Sequence, residues 1–129
     1  MSYKTDYKRV AGLGSAKNGT HHFVIQRLSA IALIPAAVLF LYTFVGVLGR
    51  GYDAVIATYS RPVPALIALM FIAALFEHLR LGLQVVIEDY VSGERARMRW
   101  LIVNALFWRA AMIVGLFAVA KIAFLTIAA

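Results

Sequence analysis

A histidine lies deep inside an apolar stretch of this chain. His78 is about fifteen residues into the second of three long apolar runs. An ionisable side chain near the middle of a membrane span is costly, and its presence there usually indicates function. An imidazole can stay neutral with one hydrogen bond, so His78 has two interpretations. Its ring either bonds to a neighbouring helix or acts as an axial ligand to a haem iron.

The neighbours of the histidine favour haem. On a helix, His78, Gly82, Val85 and Asp89 share one face, at spacings i, i+4, i+7 and i+11. Gly82 removes a side chain one turn away and leaves room for a flat macrocycle. Asp89 lies on the same face about 16 Å farther along the helix.

A second axial ligand at the same depth is not evident. His21 and His22 precede the first apolar run, and Met70 is about 12 Å from His78 along the same helix. Met112, in the third run, stays open as a candidate. The simpler inference is that a partner chain supplies the other ligand.

Another polar group is predicted where the second span ends. The Tyr90 phenol can donate a hydrogen bond to a carbonyl while its ring packs against apolar groups. Gln26, Arg27 and Ser29 are expected at the same level as Asp89 and Tyr90. Such a cluster suits a lipophilic ligand with a polar head, such as a quinone. Arg27 could bind a haem propionate there, or a lipid phosphate.

Four further charged residues lie inside the apolar runs. Glu77 and Arg80 are three apart and are predicted to pair along the helix. Together with His78 they also permit a second hypothesis, a small proton- or ion-translocating subunit without haem. A third is a purely structural anchor. Arg109 and Lys121 are expected to face lipid or a partner.

Composition places these residues on membrane helices. The 129 residues are 63% hydrophobic and 15% charged, against about 45–50% and about 25% in soluble domains. A domain this small cannot bury so much apolar surface, which excludes a soluble enzyme, a nucleic-acid-binding domain and a disordered segment. The chain has no cysteine, so it cannot itself ligate an iron–sulfur cluster.

The predicted fold is an all-α integral membrane protein with three transmembrane helices in an up-down-up bundle. Each apolar run is long enough to cross about 30 Å of hydrocarbon. Residues 1–27 form a basic arm whose Gly/Ser-rich part, residues 12–20, is predicted to be irregular. Residues 28–129 form one transmembrane domain, with helices at about 28–48, 63–87 and 100–127. A turn at residues 49–64 and a polar loop, EDYVSGERARMR, connect them.

The charge distribution predicts orientation. Thirteen Lys and Arg against six Asp and Glu give a net charge of +7. The arm carries five of the basic residues, the first connection has Arg50 and Arg61, and the second has Arg95, Arg97 and Arg99. By the positive-inside rule the N-terminus is cytoplasmic, and nucleic acid is not an expected partner.

These residues together resemble the hydrophobic membrane anchor subunit of succinate dehydrogenase, respiratory complex II, in its alpha-proteobacterial form. One matching part is GLGSAKNGT–HHF–QR–SA, which leads into the first span. The more specific part runs from His78 through Gly82 and Val85 to Asp89 and Tyr90. The resemblance covers about two-thirds of the chain.

The resemblance implies roles for individual residues. His78 would ligate the iron of haem b, opposite a histidine of a second cytochrome b anchor subunit, with Gly82 beside the macrocycle. Tyr90 would hydrogen-bond a ubiquinone carbonyl, and Asp89 would organise that site or its proton supply. Arg27 would lie near the haem propionates and the quinone.

The resemblance also implies partners and a location. Electrons would pass from succinate through a flavoprotein subunit and an iron–sulfur subunit to ubiquinone, as part of the tricarboxylic acid cycle. The second anchor would contribute three further helices packed against this chain in the bacterial inner membrane. A fumarate reductase-type complex is the close alternative.

Overall fold

The computed structural model describes the backbone of residues 17–125 and the side chains of residues 23–124. This part of the chain is entirely helical outside its short connections. Three long helices, α1 (Lys17–Val45), α3 (Pro62–Tyr90) and α4 (Glu94–Leu125), are accompanied by one short helix, α2 (Tyr52–Tyr59). The long helices contain three candidate membrane spans, Phe23–Val45, Pro62–Tyr90 and Glu94–Phe124. The predicted number and order of spans are therefore confirmed.

Helix α3 is the centre of the fold, with α1 packed on one side of it. The Ser29 hydroxyl contacts the His78 ring, and the rings of Phe40 and Phe71 stack with centroids 4.4 Å apart. The contact positions run in opposite directions along the two helices, so α1 and α3 are antiparallel.

Helix α4 packs against another side of α3. Asn104 donates a hydrogen bond to the backbone carbonyl of Arg80. Farther along, Gly115 lies so close to Ile72 that a Cβ added to the glycine would meet the isoleucine Cγ2 at 3.2 Å. These contacts make α4 antiparallel to α3, as the up-down-up order requires.

Each long helix begins earlier than its apolar run predicts, and α3 also ends later. Helix α1 begins at Lys17, so the prediction of irregular backbone is wrong for residues 17–20. The prediction of a polar loop over EDYVSGERARMR is also wrong, because only residues 91–93 separate α3 from α4. Glu, Arg, Met and Ala are strong helix formers, and Gly93 turns the chain at φ 113°. Residues 1–16 of the predicted arm and residues 126–129 lie outside the described residues.

The predicted turn at residues 49–64 contains helix α2. Val55 and Tyr59 are four residues apart and therefore lie on one face of it. Tyr59 is buried in a cluster with Val47 and Ala68, against which Phe40 and Val55 pack. Its hydroxyl also contacts the Thr43 hydroxyl at 3.3 Å. The connection is helical because one apolar face of α2 packs against the long helices at this end of the bundle.

Little of the chain is buried by its own helices. Within the part whose side chains the structure describes, the residues with low exposure are seven apolar ones and Asn104. Large apolar side chains are exposed along all three long helices, among them Ile34, Leu106 and Phe117. So much exposed apolar surface requires a bilayer, partner helices or both.

Candidate functional site

His78 lies near the middle of α3, sixteen residues after Pro62 and twelve before Tyr90. Its Nδ1 is 3.2 Å from the Ser29 Oγ of α1. The Ser29 hydroxyl in turn donates to the backbone carbonyl of Gln26, one turn earlier on α1, at 2.8 Å. His78 is therefore tied to the neighbouring helix through one ring nitrogen.

The hydrogens of this chain of bonds can be assigned by counting. A serine hydroxyl has one hydrogen, and Ser29 gives it to the Gln26 carbonyl. In that arrangement the Ser29 oxygen is an acceptor toward His78, and an imidazole with its hydrogen on Nδ1 is the tautomer that fits it. In a neutral imidazole the other nitrogen, Nε2, keeps its lone pair and can bind a metal.

An open pocket of about 290 Å³ adjoins the histidine. Phe23, Gln26, Arg27 and Ala30 of α1 line it together with His78. The Arg27 guanidinium carbon is 4.9 Å from the centre of the Phe23 ring, a cation–π distance that holds the arginine beside the pocket. The cation of Arg27 and the imidazole of His78 thus border the same space.

Gly82 leaves free space one turn from the histidine. A Cβ built on this glycine meets no atom within 4 Å. Gly82 therefore has no packing role toward the described helices of this chain, whereas Gly115 has one. The space beside His78 is available to a ligand or to a partner helix.

The structure does not bring Arg27 to the end of α3. Because Ser29 is opposite His78, Arg27 is approximately level with Arg80, and Tyr90 is ten residues or about 15 Å farther along the helix. The expectation that Arg27 lies level with Asp89 and Tyr90 is therefore wrong. It assumed that the first helix begins near Leu28, whereas α1 continues back to Lys17.

Asp89 and Tyr90 lie at the exposed end of α3. Tyr90 is 83% exposed, and neither side chain has a hydrogen-bond partner among the described residues. Glu88, by contrast, accepts a hydrogen bond from Gln84 at 2.8 Å. The carboxylate of Asp89 and the phenol of Tyr90 are free to contact a ligand or another subunit.

Glu77 and Arg80 form the predicted ion pair. Arg80 Nε donates to one carboxylate oxygen at 3.1 Å and an Nη donates to the other, so the pair is bidentate. Among the described residues, no hydrogen bond joins either side chain to His78, which bonds to Ser29 instead. The relay of the second hypothesis therefore has no direct hydrogen bond among these three residues to support it.

Sequence reasoning missed two polar residues on α4. Asn104 is 5% exposed and donates to the Arg80 carbonyl at 3.0 Å. Its Oδ1 and the Trp108 Nε1 are buried without a partner among the described residues. A lone asparagine in an apolar span is a signal for an interhelical hydrogen bond and could have identified this contact.

The arrangement fits a shared haem rather than a metal site built by this chain alone. Among residues 23–124, whose side chains the structure describes, no group of three His, Asp or Glu side chains comes together to hold an ion. His78 offers one nitrogen lone pair, Gly82 provides free space, and Arg27 supplies a positive charge for an acidic substituent. His78 would hold the iron of such a group, and Arg27 would pair with its acidic substituent.

Comparison with known proteins gives a consistent result. The family model described as succinate dehydrogenase/fumarate reductase transmembrane subunit matches residues 1–128. A succinate dehydrogenase hydrophobic membrane anchor subunit of Paracoccus denitrificans is 32% identical over 94% of this chain and 93% of its own length. One of Rickettsia bellii is 31% identical over 81% and 84%, respectively. A succinate dehydrogenase membrane anchor subunit of Reclinomonas americana is 29% identical over 64% and 71%. No solved structure gives a significant match.

Proposed function

The chain belongs to the succinate dehydrogenase/fumarate reductase transmembrane subunit family, and we propose that it helps bind haem b and form the ubiquinone-reducing site. It is a multi-pass membrane anchor subunit of the succinate dehydrogenase/fumarate reductase complex. The relatives are named as succinate dehydrogenase subunits, which favours succinate oxidation over the reverse reaction of a fumarate reductase-type complex.

One observation carries the proposal for haem. Ser29 contacts His78 at Nδ1, and His78 and Arg27 line the same pocket. A hydrogen on Nδ1 would leave the Nε2 lone pair for a ligand. His78 would ligate the iron through Nε2, and Arg27 would pair with a propionate. Gly82 would leave the macrocycle unobstructed. A bound haem supplies a one-electron redox centre.

Ubiquinone would bind nearer the end of α3. Tyr90 has a free, exposed phenol that can donate a hydrogen bond to a quinone carbonyl. Such a bond orients the ring and strengthens as negative charge develops on the oxygen during reduction. Asp89 would organise this site or its proton supply, since reduction of a quinone takes two electrons and two protons.

The remaining parts of the pathway belong to partner subunits. A second, three-helix anchor subunit packed against this chain would supply another ligand to the haem iron. This cysteine-free chain offers no thiolate for an iron–sulfur cluster. Electrons from succinate would therefore arrive through a flavoprotein and an iron–sulfur subunit docked on the cytoplasmic side of the bacterial inner membrane.

The test is the optical spectrum of the dithionite-reduced, purified complex carrying His78→Ala. Loss of a metal ligand should reduce the retained haem b at least about tenfold, since loss of an indirect contact already costs 10–100-fold. Met70→Ala is the matched control. Met70 is exposed on the same helix, eight residues away, and its loss should leave the spectrum unchanged.

Two results would overturn the assignment. Absence of a b-type spectrum from the wild-type complex would contradict haem binding altogether. An unchanged haem content in an assembled His78→Ala complex would show that another residue ligates the iron.

A further inference from the structure

We propose that Ser29 is a positioning residue for the haem ligand, fixing the tautomer of His78 and lowering the haem midpoint potential. The inference rests on the proposed function, because it assumes that His78 binds the iron through Nε2. It adds a residue outside the motif on α3, contributed by a different helix.

The bond from Ser29 to the Gln26 carbonyl favours the Ser29 oxygen as an acceptor toward the histidine. The single hydroxyl hydrogen is engaged by the Gln26 carbonyl at 2.8 Å, and this bond within α1 also holds the serine rotamer. The oxygen lone pairs are left for the His78 Nδ1–H, 3.2 Å away. A histidine with its hydrogen on Nε2 could make this contact only by accepting the Ser29 hydrogen at Nδ1, and it could not ligate through Nε2.

The contact also affects the ligand electronically. A metal-binding histidine that donates its other N–H becomes a more basic ligand and is held in one ring orientation. A more basic nitrogen stabilises ferric over ferrous iron. Removing such a partner typically changes metal binding by roughly ten- to a hundredfold. A tenfold loss of preference for the ferric form raises a one-electron midpoint potential by about 59 mV.

The experiment is redox titration of haem b in the purified complex, with the ferric haem examined by electron paramagnetic resonance. Ser29→Ala removes the acceptor, whereas Ser29→Thr keeps a hydroxyl that can make the same two bonds. Thr43→Val is the matched control. Thr43 donates to the Phe40 carbonyl at 2.9 Å, the same bond within the same helix, but it lies far from His78.

We expect Ser29→Ala to raise the midpoint potential and shift the ferric resonance, and Ser29→Thr and Thr43→Val to keep wild-type values. A wild-type potential and resonance in Ser29→Ala would overturn the inference. An equal shift in Thr43→Val would also overturn it, since the effect would then come from helix packing.

The design separates this inference from the proposed function. If His78→Ala retains its haem, the ligand assignment fails and the Ser29 inference fails with it. If His78→Ala loses haem while Ser29→Ala keeps the wild-type potential, the inference about Ser29 alone fails. Should Ser29→Ala not assemble, Ser29→Cys replaces it. A thiol is a weak acceptor, so its potential should rise, and a wild-type value would contradict the inference.

Discussion

The two nitrogens of one imidazole have different environments in this protein. Nδ1 of His78 is engaged by Ser29, whereas Nε2 has no hydrogen-bond partner among the described residues. A neutral histidine with one satisfied nitrogen is far cheaper to bury in a membrane than a charged group. The adjacent Glu77 and Arg80 avoid the same cost by pairing with each other. The span therefore tolerates three polar residues in four positions.

At the exposed end of the same helix, the Tyr90 hydroxyl should matter for quinone and not for succinate. Tyr90→Phe removes one hydrogen bond, worth about 0.5–1.5 kcal/mol, so ubiquinone reduction should fall about two- to tenfold. Succinate oxidation with a soluble electron acceptor should be unchanged. Steady-state assays of both activities on the same preparation check this.

Tyr52→Phe is the control for that experiment. Tyr52 is also largely exposed but lies at the first residue of α2, at the opposite end of the bundle. It should leave both activities unchanged. Equal losses of both activities in Tyr90→Phe would assign the phenol to assembly instead of to the quinone site.

At the scale of the helices, two glycines illustrate two different uses of a missing side chain. A Cβ on Gly115 would press on Ile72 at 3.2 Å, so this glycine permits close packing of α4 on α3. A Cβ on Gly82 meets nothing in the described chain. The sequence alone does not distinguish these cases, because glycine is common in membrane helices for both reasons.

Replacement of each glycine by leucine should therefore impair a different property of the complex. Gly82→Leu should insert and pack normally but fill the space beside His78, so the purified complex should lose most of its haem b. Gly115→Leu should keep the haem environment but lower the thermal stability of the complex. The measurements are the haem-to-flavin ratio and the thermal inactivation midpoint.

A full haem complement in an assembled Gly82→Leu complex would place the macrocycle away from this face of α3. A Gly115→Leu complex that lost its haem without losing stability would contradict the packing role of Gly115.

The sequence could predict the helices but not how they are aligned. Apolar length defined the three spans, and the position of His78 near the middle of α3 followed from it. The register between α1 and α3 depends on which side chains interlock, such as Phe40 with Phe71. No single-sequence pattern records such a contact, so the sequence does not show that Arg27 is level with Arg80 and not with Tyr90.

The contact between Ser29 and His78 could not be predicted for the same reason. The presence of Ser29 in the first span was visible, but its contact with His78 required the register. Asn104 differs, because a polar residue in an apolar span is a visible signal even without knowledge of its partner.

At the scale of the whole molecule, α3 carries both parts of the candidate site and is covered by α1 and α4 on separate sides. Many apolar side chains on the outer helices remain exposed, as expected for a chain that also meets lipid and other subunits. The distribution of basic residues then determines which end of the bundle faces the cytoplasm. Arg95, Arg97 and Arg99 all lie in the first turns of α4, next to the Tyr90 end of α3.

The absence of cysteine from the chain makes its orientation directly measurable. Ser92→Cys lies in the exposed turn between α3 and α4, and Arg50→Cys in the exposed connection before α2. A membrane-impermeant maleimide added to intact spheroplasts should label Arg50→Cys and leave Ser92→Cys unlabelled, with detergent-solubilised samples defining complete labelling. The unsubstituted subunit has no cysteine to label, so its gel band gives the background signal. Labelling of Ser92→Cys in intact spheroplasts would contradict the predicted topology. Tyr90 would then lie on the side away from the cytoplasm. Such a result would separate the proposed quinone site from an iron–sulfur subunit docked on the cytoplasmic face.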